Sequence, residues 1–310
     1  MVILFVDWDE TPPADFRSGA VSIGNFDGVH RGHRALLTEL KRQAECVGGS
    51  AVALTFDPPP LWLLRPEQFQ PVLTSINDRA EVLMANGADH VLILRTTLSL
   101  LDLSAAEFFH RVVRDRLAPR ALVEGPNFGF GKNRQGNVAL LDSLCQQFGL
   151  TIAIVPPLEW NGAIISSSRI RTSLNQGNVR EAADLLSRPY RMRGRVGTGQ
   201  NRGKTIGFPT ANLETVESLV PGDGVYAVRV IYQNSHWPGA VNIGPNPTFG
   251  EAQRKIEVHL IDFQGDLLGQ ILELEFVDRL RDTRAFPSLD QLVAQIRLDV
   301  ERARRLVGVI

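Results

Sequence analysis

Gly24-Asn-Phe-Asp-Gly-Val-His-Arg-Gly-His33 lies between an apolar run and a segment with helical spacing from Arg34 onward, so it reads as a strand-to-helix junction. Val21, Ile23 and Phe26 supply the buried strand positions. The junction seats His30 and His33 three residues apart, at or near a helix N-terminus. Backbone N–H groups lack partners there and the helix dipole favours anions, so two imidazoles on that face would add donors for a triphosphate. A pair of surface histidines beside a Gly-rich turn fits the same residues.

Working outward, buried-strand patterns recur at Val21–Ile23, Ala51–Phe56, His90–Leu94, Ala121–Val123 and Thr151–Val155, alternating with helical segments. This is the pattern of a doubly wound, Rossmann-like α/β domain. Near Arg188-Pro189-Tyr190 the pattern changes, because proline stops the helix of residues 178–187. Short β-rich pieces follow, separated by Gly, Pro and Asn turns: Arg191–Gly197, Gly224–Tyr232, His236–Ile243, Lys255–Asp262 and Ile271–Leu280. They predict an antiparallel barrel or sandwich, with an amphipathic helix over Ser288–Val307 packed on it. The expected domains are therefore residues 1–187 and 188–310.

Composition narrows the classes. The 310 residues, 44% hydrophobic and 22% charged, suffice for two domains with cores of their own. A net charge of −1 gives no basic field for nucleic acid, although Arg188, Arg191, Arg193 and Arg195 form a local cluster. No nucleic-acid or membrane partner is expected. Cys46 and Cys145 make no disulfide framework or CxxC pair, which suits a reducing cytoplasm. The apolar start of MVILFVDWDE is too short for a signal peptide or a membrane span. A homo-oligomer remains open.

Three further N-terminal stretches can converge on the first junction. Thr55-Phe-Asp-Pro-Pro-Pro60 follows a strand and so lies at a carboxyl edge, where open α/β sheets bind ligands. Glu124-Gly-Pro-Asn-Phe-Gly-Phe-Gly131 also follows a strand. Its glycines allow close backbone approach, and Phe128 and Phe130 are either flat surfaces for an aromatic ligand or core residues. In Ile165-Ser-Ser-Ser-Arg-Ile-Arg171, Ser166–Ser168 precede a helix they could cap, or could donate to phosphate, and Arg171 could neutralise pyrophosphate.

His30-x-Gly-His33 resembles the HxGH signature of the nucleotidyltransferase superfamily. With TFDPPP, the FGFG loop and ISSSRIR in that order, residues 1–187 resemble the FMN adenylyltransferase domain of the bifunctional prokaryotic FAD synthetases. The resemblance implies that His30, His33, Ser167, Ser168 and Arg171 hold ATP phosphates, with Asn25 and Asn127 at companion polar positions. It implies no covalent intermediate: the FMN phosphate attacks the α-phosphorus of ATP and pyrophosphate leaves. Two departures stand out. Pro59 occupies a position where the family usually has histidine, and Gly129 one where it usually has arginine, so one expected phosphate or flavin contact is missing.

The second half opens with Gly194-Arg-Val-Gly-Thr-Gly-Gln-Asn-Arg-Gly-Lys-Thr-Ile-Gly-Phe-Pro-Thr-Ala-Asn-Leu213. It is neither a Walker A loop, having one residue too many between Gly197 and Gly203, nor GxGxxG. A loop bordered by β-structure can still wrap phosphates, with Gly199, Gly203, Lys204 and Gly207 as candidates and Arg202 nearby; a mobile basic loop fits equally. Thr210 and Asn212, two residues apart in an extended stretch, are hard oxygen donors able to share a magnesium ion already held by ATP. Glu257 and His259 occupy one face of an alternating strand, and a carboxylate fixed there can accept a proton from an attacking alcohol. Solvated strand positions explain the same alternation.

GFPTANL, GVYAV, NIGPNPTF, IEVHLIDF and the final helix resemble the riboflavin kinase domain over essentially its whole length. The resemblance implies a six-stranded antiparallel barrel, magnesium at Thr210 and Asn212, and Glu257 as catalytic base. Leu268 replaces a common tyrosine and Asp282-Thr-Arg an acidic pattern, changes expected to affect a flap. The expected activity is phosphorylation of riboflavin to FMN followed by adenylylation to FAD, each with ATP and Mg2+. Two alternatives stay open: a kinase with a degenerate or regulatory adenylyltransferase site, and a flavin-binding module without turnover.

Overall fold

In the computed structural model, residues 2–199, 202–246, 248 and 251–308 are described. Packing divides the chain into two compact units, one of residues 1–70 and 75–166, the other of residues 71–74 and 167–310.

The first unit is built on six parallel strands: β1 (Val2–Val6), β2 (Ala20–Ile23), β3 (Ala51–Asp57), β4 (His90–Arg95), β5 (Ala121–Glu124) and β6 (Thr151–Ile154). Their order is β1-β4-β3-β2-β5-β6. The chain moves from β2 through β3 to β4 on one side, then returns to place β5 on the other side of β2. The topological switch point of this open sheet therefore lies between β2 and β5.

Both faces of the sheet are buried, which is why its strands read as continuous apolar runs. Leu54, Leu92, Val21 and Ile23 face Phe109, Val112 and Val113 of the π-helix Phe108–Leu117 and Leu141 and Leu144 of the helix Val138–Phe148. Ala51, Ala53, Val91, Ile93 and Val123 face Leu37, Leu40 and Ala44 of α1 (Arg31–Val47) and Ala80 and Leu83 of α2 (Ile76–Ala85).

Three local expectations change. Strand β2 stops at Ile23, and Phe26 lies beyond it at φ 45°, buried and edge-on to the His33 ring. Helix α1 starts at Arg31, not Arg34. Val2–Val6, which the sequence reading assigns to no element, is an edge strand in register with β4.

The second unit holds a closed barrel of β7 (Tyr190–Gly197), β8 (Ala211–Glu214), β9 (Gly224–Tyr232), β10 (Ser235–Asn246), β11 (Glu251–Leu260) and β12 (Ile271–Arg281), in the order β7-β8-β11-β10-β9-β12. All its pairings are antiparallel. The short β8 carries too little alternation to be seen in the sequence. Inside, Tyr190, Tyr226 and Phe276 meet as a ring cluster with centroids 5.5 and 6.1 Å from Phe276. Outside, Arg191 and Arg193 pair with Glu273 and Glu275 of β12. Two arginines of the basic cluster read from the sequence are thus a cross-strand ion-pair ladder, not a bare cationic patch. Helix α3 (Leu289–Gly308) buries Ala303 and Val307 against Val225, Ala227 and Leu280. Ahead of β7 the helices Ser167–Asn175 and Val179–Leu186 pack in this same unit.

Strand β12 closes the barrel by pairing with both β7 and β9, and Phe276 is fully buried on it. Phe276→Ala is expected to cost about 3–5 kcal/mol, read as a lowered denaturant midpoint for the second unit.

Candidate functional site

The parallel ladder between β2 and β5 runs only through Ala20 and Val21, paired with Ala121 and Leu122. Beyond it the N–H of Ile23 donates to the Glu124 carboxylate at 2.7 Å instead of to a backbone carbonyl. The two strands part at this side chain, and the Gly24–His33 and Gly125–Gly131 loops leave on either side of the opening. Glu124 is 2% exposed, and burial holds its carboxyl well above the usual carboxylate range even though the Ile23 N–H opposes the shift.

His30 is the N-cap of α1. Its Nδ1 accepts from the His33 N–H at 3.3 Å, which leaves Nε2 as the proton-bearing nitrogen of the neutral ring. The His30 and His33 rings stack with centroids 3.7 Å apart and an interplanar angle of 14°. Burial, with the His30 ring and the Arg79 cation adding to it, holds His33 well below the ordinary histidine value. His33 is therefore held toward its neutral form, in which a ring N–H can donate.

Behind the stacked rings stands Arg79, 2% exposed, with Nη2 3.7 Å from the Asp27 carboxylate and Nη1 3.4 Å from the Thr55 hydroxyl. Thr55 in turn donates to the Asn25 carbonyl at 3.2 Å. One buried cation thus ties α2, the end of β3 and the histidine loop together. Sequence reading missed Arg79, although a signal existed. It falls on the apolar stripe of α2 with Ile76, Ala80 and Leu83, where a charge is out of place unless it is paired.

The side chains of Asn25 and Asn127 are exposed. Phe130 belongs to the core, and Phe128, partly buried, stacks on it at 5.5 Å. After β3, Pro59 leads into the short helix Pro60–Leu64, where Leu61, Trp62 and Leu64 are exposed. Ser167, Ser168 and Arg171 lie within the opening turns of the helix Ser167–Asn175 and do not precede it. The Arg171 Nε donates to the Pro71 carbonyl at 3.2 Å.

In the barrel, Asn212 stands opposite Glu257, and Glu257 opposite Asn242, across three adjacent strands. Directly opposed residues have side chains within contact range on one face. A Cβ on Gly199 would fall 2.0 Å from the Asn212 amide nitrogen, and one on Gly203 3.2 Å from the Thr210 hydroxyl. The loop lies directly against the Thr/Asn pair, and at Gly203 the Phe208 carbonyl, 2.3 Å from the Cβ position, leaves no room for a side chain. Gly207 takes φ 85°. The side chains of Arg202 and Lys204, with Pro247 and Phe249 of the NIGPNPTF turn, lie outside the described part of the structure.

His259, on the Glu257 face, has its Nδ1 2.8 Å from the Pro209 carbonyl and its ring 5.6 Å from Phe208. It fastens the residues just before Thr210 to the strand that carries Glu257. Thr210 and Asn212 offer neutral, hard oxygen atoms, a set suited to a hard divalent cation that also takes phosphate oxygens. Among the described residues no group of three His, Cys, Asp or Glu could hold a metal unaided.

Comparison with known proteins finds two families along the chain. Residues 13–169 match the FAD synthetase family and residues 186–307 the riboflavin kinase family. The bifunctional riboflavin kinase/FMN adenylyltransferase of Pseudomonas fluorescens is 38% identical over 295 residues, covering 95% of this chain and 94% of its own. Its counterpart in Escherichia coli K12 is 36% identical over 289 residues, covering 93% and 92%. A solved structure from Streptococcus pneumoniae, described as a macrolide-efflux protein, superposes with a TM-score of 0.87 at 31% identity and covers 98% of this chain and 99% of its own. Among the described residues no helix is long and apolar enough to cross a membrane.

His33 is held below its unfolded value near 6.5, so between the two values the folded chain binds fewer protons than the unfolded one. Its contribution to stability is present above about pH 6.5 and is lost as the pH falls toward the folded value. Melting temperatures of the wild type and of His33→Gln are expected to diverge on acidification, with the flatter profile in the variant.

Proposed function

The chain belongs to the bifunctional riboflavin kinase/FMN adenylyltransferase family, and from that membership we propose which residues carry each of its two ATP-dependent steps, riboflavin to FMN and FMN to FAD. The observation that supports the kinase assignment most directly is the row Asn212–Glu257–Asn242, with Gly199 and Gly203 set against Asn212 and Thr210.

Residues 188–310 are assigned the kinase step. Glu257 takes the proton of the ribityl hydroxyl as its oxygen bonds to the γ-phosphorus of ATP; the bond to the bridging oxygen breaks and ADP leaves. Gly199, Gly203, Lys204 and Gly207 wrap the phosphates. Thr210 and Asn212 would hold Mg2+, which when bound screens phosphate charge. His259 keeps the metal-ligand segment aligned with the base.

Residues 1–187 are assigned the adenylyl step. An oxygen of the FMN phosphate bonds to the α-phosphorus of ATP as pyrophosphate departs. His30 and His33 donate to phosphate from their ring N–H groups at the α1 N-terminus, with Asn25 and Asn127 as companion polar residues. Ser167, Ser168 and Arg171 are assigned to the phosphates on the likeness of their sequence to the family's Ser/Thr-rich motif. The exposed Leu61, Trp62 and Leu64 supply apolar surface of the kind a flavin ring needs. The two cysteines, both free, suit the reducing cytoplasm that we assign as its location.

Chromatography of products from riboflavin, ATP and Mg2+ tests the assignment. FMN followed by FAD is the expected sequence, and accumulation of FMN alone would remove the adenylyl half. Glu257→Gln is expected to lower the kinase kcat by about 10²–10⁴-fold while FAD still forms from added FMN. Gly199→Ala, which drives a methyl into the Asn212 amide, is expected to raise the kinase KM for ATP and to spare adenylylation.

A further inference from the structure

The loop after β5 carries a second cation site that its own glycine creates. Gly129 and Phe130 pair with Asn137 and Gly136 in a small hairpin. At its tip Asn133 and Arg134 both take positive φ, 54° and 57°. This turns the Arg134 side chain back across the hairpin. Its Nη2 donates to the Asn127 carbonyl at 2.9 Å. Its Nε, Nη2 and Cζ lie 2.8, 3.0 and 3.2 Å from the point where a Cβ on Gly129 would begin. The guanidinium therefore fills the space that any side chain at 129 would claim, and the glycine is what admits it.

Two further observations give this cation a purpose. Lys132, the other cation of the tip, is neutralised by Asp102 at 2.9 Å, whereas Arg134 is exposed and meets no carboxylate among the described residues. Of its five N–H donors one is committed, to Asn127, so the planar fork is oriented but largely unused. The loop that holds it leaves the carboxyl end of β5, the strand paired in parallel with β2, whose own carboxyl end leads into the histidine loop, and the switch point of the sheet lies between these two strands.

We infer that Arg134 is a phosphate-binding residue of the adenylyl step, oriented by the Asn127 carbonyl and seated in the space left by Gly129. The inference rests on the adenylyltransferase reading of the first unit. Arg134 forms charge-assisted hydrogen bonds to a phosphate group, that of FMN or those of ATP, and the kinetics separate the two sources. No covalent bond to the arginine is involved.

The test uses the full chain, with FMN formation from riboflavin as an internal control that Arg134 variants leave unchanged. Arg134→Ala and the similarly sized, uncharged Arg134→Met are expected to lower kcat/KM for FAD formation by about tenfold or more. A rise confined to the KM for FMN assigns the FMN phosphate, and one confined to the KM for ATP the triphosphate. A fall in kcat alone assigns charge that develops on the departing pyrophosphate. Adding Gly129→Arg to Arg134→Ala returns a guanidinium to the same space from the opposite strand and is expected to restore most of the loss. Activity of either single variant within twofold of the wild type would overturn the inference. So would a loss that neither Arg134→Lys nor the relocated arginine repairs, since the side chain would then serve only loop structure. Absence of FAD from the wild type would strike the adenylyltransferase reading itself, not this residue.

Discussion

The first unit depends on a hydrogen bond that replaces a strand pairing. Where β2 and β5 would continue as a ladder, the buried Glu124 carboxyl takes the Ile23 N–H, and the two chains separate. A parallel sheet offers a ligand crevice only where neighbouring strands send their connections to opposite faces. A polar group buried at that parting must be satisfied from within the protein. Glu124 does so with a side chain, which frees the backbone beyond it to turn. The conformations at Phe26, Val29 and Gly28, all with positive φ, follow within six residues.

The histidine pair is a product of that turn. Because α1 begins at Arg31, His30 is a cap and His33 belongs to the first turn, and the ring of one lies flat on the ring of the other. Burial, the neighbouring His30 ring and the Arg79 cation behind it all weigh against a proton on His33. The helix terminus and the buried Arg79 guanidinium thus lie on the same side of the histidine rings, with Arg79 itself paired to Asp27.

The barrel solves the same problem with different parts. The helix next to the Thr210–Asn212 segment in the chain, residues 202–205, is a single turn, too short to carry a useful dipole. Gly199 and Gly203 bring backbone close to Asn212 and Thr210. Glu257 lies opposite Asn212 because β8 and β11 pair there, so the alignment of these two side chains is a property of the ladder. His259 then fixes the approach of the preceding loop by holding the Pro209 carbonyl.

Much of this was legible in the chain itself, because period and punctuation are local. The five apolar runs of the first half, the alternation over Lys255–Asp262 and the long final helix follow from side-chain spacing, and the motifs mark the junctions on which both candidate sites are built. Arg79 and Glu124 were not legible as site components, since a buried charge is recognised only by the partner that permits it, and Asp27 and Ile23 lie 52 and 101 residues away. Nor was the role of Phe128 and Phe130 decidable, as the same rings suit a core or a ligand. The sequence alone determined which segments become strands and helices and which residue types stand at each junction. Only the tertiary structure decided which junctions share an opening and which side chain occupies the space beside Gly129. Those depend on strand order and on contacts between residues distant in the chain, and no local pattern encodes either.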